Sequence, residues 1–301
     1  MQQMLHNVHL CNERCFMSGV PHAYQPDPRP VAIAVAPNGG RRTKADHPAL
    51  PLTPAELAET AFACREAGAA MIHLHVRDRQ GAHLLDAQAY RHATDAVRGA
   101  VGNDLIVQVT SEALGAYTPA QQMQVVRETR PEAVSLALRE LAGEPADEAE
   151  FLRFLAWLAR ERITPQIILY APEEATRLAG LMRRGLVPFE TVPVLFVLGR
   201  YVPGQRSTPR DLLPFLDGPA DRFAHWMLCA FGPRETACVT AAALMGGHAR
   251  VGFENNLQLP DGTVAADNAA IVRATARALE ACGVPLASAG QLRDLWAALQ
   301  A

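Results

Sequence analysis

The chain has 301 residues, of which 49% are hydrophobic and 20% charged, and its formal net charge is −3. This composition is typical of a globular protein, and the slightly negative net charge argues against a protein that binds the phosphate backbone of nucleic acids. No run approaches the roughly 18 apolar residues of a membrane span, and the opening segment lacks the apolar core of a signal peptide. We therefore expect a cytoplasmic protein with neither a membrane nor a nucleic-acid partner.

Short apolar runs alternate with helical patterns after an N-terminal extension that covers residues 1–30. Thr53-Pro54-Ala55-Glu56 combines an N-cap, a proline at the first helical position and a capping-box partner, and predicts a helix that ends at Gly68. The other predicted helices are residues 86–98, one opening at 118–119, 151–162, one through 178–184, 234–245 and 267–282. The predicted strands are residues 31–36, 70–76, 105–109, 133–136, 166–170, 194–198, 223–228 and 249–253.

Strands that alternate with helices indicate a parallel sheet, because each parallel connection needs a crossover. A run of eight strand–helix units favours closure of the sheet into a barrel. We therefore predict one (β/α)8 TIM barrel over residues 31–301. The competitor is an open, doubly wound sheet. It is weakened because no G-x-G-x-x-G follows the first strand and no phosphate-binding P-loop pattern occurs.

Histidines and cysteines crowd together near the N-terminus, at His6, His9, Cys11 and Cys15. Their spacing matches no common zinc motif, which argues against a zinc site there. The cysteines elsewhere are spread thinly, as is typical of reduced thiols in a cytoplasmic protein.

The strongest local signal is the pair His73 and His75 on the second predicted strand. Alternate strand residues share a face, so both imidazoles, and Arg77 beyond them, point into the barrel while Leu74 packs under the helices. They lie at the carboxyl end of the strand, where barrel enzymes place their active sites. Two adjacent imidazoles favour a divalent cation such as zinc. The alternative is one histidine hydrogen-bonded in the core and the other on a loop.

The last predicted strand offers a third ligand in Glu254. The eighth strand of a closed barrel neighbours the first, which neighbours the second, so this carboxylate can reach the same cation. Two histidines and one carboxylate with open positions are a catalytic composition. Taken alone, Glu254 is more consistent with a surface carboxylate at a strand end.

Three long motifs stand in order along the chain. They are Ala45-Asp46-His47-Pro48-Ala49-Leu50-Pro51, the stretch from Gly68 through His75-Val76-Arg77, and Gly246-Gly247-His248-Ala249-Arg250-Val251-Gly252-Phe253-Glu254-Asn255. Together they resemble the β-keto acid cleavage enzymes, whose best-known activity is 3-keto-5-aminohexanoate cleavage, and the resemblance runs from about Val31 to near Leu299. It implies a zinc-bearing barrel, a homotetramer, and ligands at His73, His75 and Glu254.

The resemblance also implies a reaction, in which a β-keto acid and acetyl-CoA give acetoacetate and a new acyl-CoA. Thr110, Ser111 and Ser135 match family positions that hold the substrate carboxylate. Arg200 and Arg206, in the loop after the sixth strand, are candidates to meet the phosphates of coenzyme A.

The chain departs from the family pattern at three positions. Asn255 stands where the pattern has an aspartate that pairs with the arginine at Arg250 to serve as base, so the proton acceptor becomes Glu112, Asp78 or an ordered water. Arg41 and Ile168 stand where enzymes of amino-bearing substrates have glutamates.

Losing two carboxylates and gaining a guanidinium removes the means of binding a substrate ammonium group. We therefore expect a substrate that is uncharged or anionic at its far end, with Arg41 as its possible partner or as a solvated loop charge. Two other functions stay open: a metal-dependent barrel aldolase or lyase that works without coenzyme A, and a non-catalytic barrel that binds a metal or ligand.

Overall fold

The computed structural model describes residues 29–218 and 223–298. Its strands are β1 Ile33–Val35, β2 Met71–Leu74, β3 Val76–Arg77, β4 His83–Leu84, β5 Ile106–Thr110, β6 Ala133–Ala137, β7 Thr164–Leu169, β8 Val194–Leu198, β9 Trp226–Ala230 and β10 His248–Val251. Eight of them form a closed barrel in the order β1-β2-β5-β6-β7-β8-β9-β10, all pairs being parallel. The predicted (β/α)8 barrel is confirmed.

Helices connect the barrel strands. They are α1 Pro54–Glu66, α2 Ala87–Val101, α3 Pro119–Thr129, α4 Leu138–Leu141, α5 Pro145–Glu161, α6 Pro172–Arg183, α7 Leu213–Leu216, α8 Glu235–Leu244, α9 Asn268–Ala281 and α10 Ala289–Ala297, with a 3₁₀ helix at Pro209–Leu212. The predicted capping box is present, because Thr53 accepts from the Glu56 amide and Glu56 accepts from the Thr53 amide. Within the described ranges, no helix combines the length and apolar character needed to cross a bilayer.

The buried side chains form two layers, one inside the barrel and one between the barrel and its helices. On β2, Met71 belongs to the inner layer, whereas Ile72 and Leu74 belong to the outer one. This is the alternation expected of a parallel strand with both faces covered. Buried polar side chains inside the barrel begin in the middle of the strands, where Gln108 donates to Gln166, and continue toward the carboxyl ends with His73 and Thr110.

The second predicted strand is shorter than expected. We predicted a continuous strand to Val76, but β2 ends at Leu74, and β3 pairs antiparallel with β4 in a separate hairpin. Asp78 causes the change, because its Oδ1 accepts from the amides of Gln80 and Ala82 and closes the hairpin turn. His75 therefore lies in the break between the barrel strand and the hairpin.

Three other boundaries also differ from the prediction. The seventh barrel strand is β9, which starts at Trp226 rather than Phe223, since the ladder with β8 begins at the Val194–Trp226 pair. Helix α5 begins at Pro145, earlier than the apolar stripe predicted, and β10 ends at Val251. The N-terminal His/Cys cluster and nearly all of the extension lie outside the described residues, so the predicted domain boundary stays a prediction.

Candidate active site

The candidate metal ligands come together at the carboxyl end of the barrel. His73 lies on β2, His75 directly follows it, and Glu254 lies in the turn after β10. Only β1 lies between β2 and β10 in the barrel, so a side chain in the turn after β10 can reach the two histidines. The convergence predicted from the two strands is present in the structure.

The three side chains present one ligand atom each to a common point. The Nε2 atoms of His73 and His75 are 3.2 Å apart, and Glu254 Oε2 lies 3.4 Å from His75 Nε2 and 3.7 Å from His73 Nε2. All three atoms lie within 4.8 Å of one another. Ligands held about 2.0–2.1 Å from one tetrahedral cation have separations of this size.

The hydrogen bonding of the two ring nitrogens of His73 leaves one of them free to bind a cation. Gln108 donates to Gln166 through its amide nitrogen, so its Oε1 faces His73 Nδ1 at 2.8 Å and accepts that proton. The other ring nitrogen is then left with a lone pair. Burial, followed by the positive charge of Arg250, lowers the pKa of His73 to about 3, which keeps the ring neutral.

Glu254 is ionised and keeps one oxygen free. Burial raises the pKa of this carboxyl group, but the Arg250 guanidinium outweighs it and holds the pKa well below its usual range. Arg250 donates to Glu254 Oε1 at 2.5 Å, whereas the buried Oε2 has no hydrogen-bond partner in the described part of the chain. An anionic oxygen buried in this way beside two imidazole nitrogens fits a divalent cation well.

A turn built on glycine and a buried carboxylate delivers Glu254. Gly252 has a φ of 132°, and a Cβ there would lie 2.6 Å from the carbonyl oxygen of Ala36. Glu235 accepts from the Gly252 amide at 3.1 Å and from the side-chain amides of Asn255 and Asn256 at 3.1 and 3.3 Å. Burial raises the pKa of Glu235 to about 8, against these three hydrogen bonds.

The loop after β1 covers the site from above. Gly39 packs so closely on Glu254 that a Cβ would lie 2.6 Å from its Cγ. Asn38 donates to the carbonyl oxygen of His75 at 2.9 Å, and Arg77 donates to the carbonyl oxygens of Gly39 and Arg42. The predicted inward orientation of Arg77 beside the two histidines is wrong, because Arg77 lies on the hairpin and holds this loop.

Two adjoining cavities open from the ligand triad. The inner chamber is lined by His73, His75, Thr110, Glu112, Ala137, Ile168, Tyr170, Leu195, Val197, Arg200, Phe231, Arg250 and Glu254. The vestibule, a cavity of about 400 Å³, is lined by Asn38, Gly39, Gly40, Arg41, Arg42, Asp46, Glu112, Arg200, Gln205, Phe231 and Glu254. The inner chamber holds about 20 Å³ of free space, about the room that one water molecule needs, and it shares Glu112, Arg200, Phe231 and Glu254 with the larger vestibule.

The predicted substrate-binding residues differ in their placement. Thr110 lines the inner chamber, as does Ile168. Ser111 donates to the carbonyl oxygen of Ser135 at 2.9 Å, and Ser135 donates to Thr110 Oγ1 at 3.4 Å, so both serines are buried behind the chamber wall. Arg41 is exposed at the rim of the vestibule.

The two candidate proton acceptors, Glu112 and Asp78, also differ in their placement, as does Asn255 at the position of the family's aspartate. Glu112 lines both cavities, with Oε2 at 3.9 Å from His75 Nδ1 and Oε1 at 3.7 Å from an Arg200 nitrogen. Asp78 is committed to its hairpin turn. Asn255 is fully buried, accepts from Arg250 at 3.2 Å and donates to Glu235. Of the two candidates for coenzyme A phosphates, Arg200 lines both cavities and Arg206 is exposed.

Sequence reasoning missed three residues that shape the site. Gln108 orients His73, and its inward position could have been read from the strand alternation that also places Thr110. Arg42 lines the vestibule beside Arg41, but nothing in the sequence indicates which of these two adjacent arginines is the more buried. Glu235 looks like an ordinary acidic residue in the first turn of a helix, and only the fold shows that it is buried.

The chain is similar in sequence to a family of known enzymes. Residues 30–297 match the β-keto acid cleavage enzyme family. The chain is 27% identical over 272 residues to the 3-keto-5-aminohexanoate cleavage enzyme of Acetoanaerobium sticklandii, covering 88% of this chain and 97% of that protein. It is also 27% identical over 280 residues to the 3-oxoadipate:acetyl-CoA acetyltransferase of Cupriavidus necator, covering 89% of this chain and 94% of that protein.

A solved structure shares the fold. The apo structure of ObcA superposes with a TM-score of 0.68 at 18% sequence identity, and the match covers 83% of this chain and 66% of that one. At this identity the likeness concerns the barrel alone. The family assignment instead rests on the match to nearly the whole of the described chain: the protein belongs to the β-keto acid cleavage enzyme family.

Proposed function

We propose that the protein is a divalent-cation-dependent acyltransferase that converts a β-keto acid and acetyl-CoA into acetoacetate and a new acyl-CoA. The observation that carries this proposal is the ligand triad of His73, His75 and Glu254 at the carboxyl end of a barrel of this family. The name of the Cupriavidus necator relative supports acetyl-CoA as the co-substrate. A cation held by the triad would supply Lewis-acid stabilisation of the negative charge that develops on a β-keto acid when its C2 proton leaves.

Glu112 is the proposed proton acceptor. Among the residues that line the inner chamber, Glu112 and Glu254 are the two carboxylates, and Glu254 is committed to Arg250 and to the ligand set. Glu112 takes the C2 proton, and the resulting carbanion attacks the thioester carbonyl and expels the coenzyme A thiolate. The thiolate then attacks C3 of the adduct, the C2–C3 bond breaks, and the proton returns to C2 of the acetoacetate.

Arg250 and Asn255 act behind the reacting groups. Arg250 holds Glu254 in place, and Asn255 links Arg250 to Glu235. In this proposal the dyad of arginine and aspartate, which the resemblance assigns as base, is replaced here by a supporting pair. Thr110 is the hydroxyl placed to hold the substrate carboxylate, with Ser135 bonded behind it.

The finer assignments belong to the same proposal. Zinc is the preferred cation because two imidazoles and a carboxylate with an open position are its usual catalytic ligands. A homotetramer in the cytoplasm follows from the family resemblance and the composition, and the exposed Arg41 stays a candidate contact for the far end of the substrate.

An assay of acetyl-CoA-dependent turnover over a panel of β-keto acids tests the function, together with metal analysis of the purified protein. We expect about one divalent cation per chain, and we expect His73→Ala to lose both cation and turnover. Arg210→Gln, a change at an exposed position on the 3₁₀ helix, serves as the control. Products that lack acyl-CoA would instead favour an aldolase or lyase, and full turnover in His73→Ala would overturn the metal-dependent mechanism.

A further inference from the structure

We propose that Arg42 and Arg200 form an anion subsite in the vestibule, which binds a second carboxylate at the far end of the β-keto acid. The inference rests on the proposed function and narrows its substrate class to β-keto acids with an anionic terminus. It assigns this role to two arginines other than Arg41, the residue that the sequence singled out.

Arg200 is a nearly buried guanidinium without a hydrogen-bonded partner among the described residues. Its side chain is 13% exposed, and it lines both the inner chamber and the vestibule. Glu112 Oε1 lies 3.7 Å away, beyond hydrogen-bond distance, and the guanidinium carbon lies 5.2 Å from the centre of the Phe231 ring. The ring covers one face of the guanidinium, which leaves its N–H edge to meet an anion.

Arg42 lines the same vestibule and is half-buried. Its guanidinium donates no hydrogen bond to any residue that the structure describes. Burial lowers the pKa of Arg42, the charges of Asp46, Glu235 and Glu254 oppose this in part, and the neighbouring charge of Arg200 adds to the lowering. Two partly desolvated guanidiniums that repel one another are unfavourable unless an anion lies between them.

The carboxylates of the vestibule do not balance these charges. Glu254 is paired with Arg250 at 2.5 Å. The three arginines that line the vestibule, Arg41, Arg42 and Arg200, then face two carboxylates, those of Asp46 and Glu112. The vestibule therefore keeps an excess of one positive charge, to which the cation would add.

The position of the arginines indicates which anion they bind. Arg200 lines the chamber of the metal ligands, and Arg42 follows closely on Gly39, which packs against Glu254. Coenzyme A carries its phosphates at the far end of the pantetheine arm, away from the reacting thioester. A guanidinium beside the reacting atoms is therefore placed to meet the keto acid. The C1 carboxylate of the β-keto acid is assigned to the Thr110 side of the chamber. The anion that remains for the two arginines is therefore a carboxylate at the other end of the β-keto acid.

Two β-keto acids of equal chain length, one ending in a methyl group and the other in a carboxylate, test the subsite. We expect the wild type to prefer the carboxylate substrate in kcat/KM. We expect Arg42→Gln and Arg200→Gln each to lower that preference about 10- to 100-fold, the effect of losing a hydrogen bond between charged groups. Arg210→Gln should keep the wild-type preference. Calorimetric binding of an unreactive dicarboxylate against a monocarboxylate of the same length should show the same selective loss.

Other outcomes overturn the inference separately from the function. If the variants raise the KM for acetyl-CoA equally with both keto acids, the arginines meet a phosphate of coenzyme A. If Arg41→Gln alone removes the preference, the subsite belongs to Arg41. Equal turnover of both substrates by the wild type contradicts the subsite but leaves the acyltransferase intact, whereas turnover of no β-keto acid defeats the proposed function itself.

Discussion

Two of the three candidate ligands are held by a neighbouring side chain at the residue scale. Gln108 bonds the far nitrogen of His73, and Arg250 bonds one oxygen of Glu254. These partners leave Nε2 of His73 and Oε2 of Glu254 free to bind a cation, and they restrict the rotation of both side chains. Metal sites are commonly supported in this way, because an oriented ligand loses less freedom when a cation binds.

Glu235→Gln tests how the Glu254 turn is supported. Two N–H donors meet Glu235 Oε1 and a third, from Asn256, meets Oε2. A glutamine that keeps its oxygen toward the first two places its NH2 group against the Asn256 donor. We expect the free energy of unfolding to fall by about 1–3 kcal/mol and divalent-cation affinity to fall with it, because the turn carries Glu254. Urea unfolding and calorimetric titration with zinc measure the two quantities.

Glu140→Gln provides the matched control. Glu140 is a partly buried carboxyl group whose Oε2 accepts from the Ala113 amide at 3.0 Å and from Gln122 at 2.7 Å. This variant should lose stability while it keeps the wild-type affinity for zinc. Unchanged zinc affinity in Glu235→Gln would show that the turn holds Glu254 without the carboxylate.

The site depends, at the scale of elements, on three connections after strands. The loop after β1 covers Glu254, the break after β2 places His75, and the turn after β10 carries Glu254. Arg77 ties the first of these connections to the second through the carbonyl oxygens of Gly39 and Arg42. The barrel supplies rigid strand ends, and the connections supply the chemistry, as is usual in this fold.

Gly39→Ala tests the contact between the loop and the ligand. Gly39 has a φ of 59°, and the new Cβ would lie 2.6 Å from Glu254 Cγ. Arg250 holds the carboxylate end of Glu254, so the clash at Cγ should force the Glu254 side chain away from its preferred rotamer. We expect zinc affinity to fall about 10-fold as a result. Calorimetric titration with zinc measures the loss.

Gly185→Ala separates the contact from the backbone strain. Gly185 has a φ of 68°, and the new methyl group would enter open space, since no heavy atom lies within 4 Å of its position. Both variants should lose about 1 kcal/mol of unfolding free energy from the left-handed conformation. A similar fall in zinc affinity in both would show that strain, rather than the contact with Glu254, is responsible.

Stability also depends on pH at the scale of the whole molecule, through histidines that are buried in the neutral form. At the start of β10, far from the ligand triad along the strand, His248 Nδ1 accepts from the Ala32 amide at 3.1 Å. Burial, followed by the charge of His225, lowers the pKa of His248 to about 4. The unfolded chain therefore binds a proton between pH 6.5 and about 4 that the folded chain does not.

His248→Asn should reduce the loss of stability in acid. An asparagine oxygen can accept from the same amide, but it does not titrate. The stability that depends on neutral His248 is complete above pH 6.5 and is lost as pH falls toward 4. We expect this part of the pH dependence to reach about 2 kcal/mol, and urea unfolding at several pH values measures it. Parallel curves for both proteins would contradict the assignment.

Much of the fold was predictable because local patterns and the barrel agree. Alternating strand and helix patterns indicated eight units, and the capping box at Thr53 marked the start of α1 correctly. Boundaries failed where a side chain interrupts a ladder. Asp78 closes a hairpin that ends β2 early, and the ladder between β8 and β9 starts later than the apolar run does.

The sequence by itself determined the barrel and the family and predicted the candidate ligand residues, because strand alternation and ordered motifs are local properties of the chain. Only the tertiary structure decided that Glu235 is buried, that Ser111 and Ser135 lie behind the chamber wall, and that Arg42 and Arg200 share one cavity. Burial and shared cavities depend on contacts between distant segments. No local pattern records them.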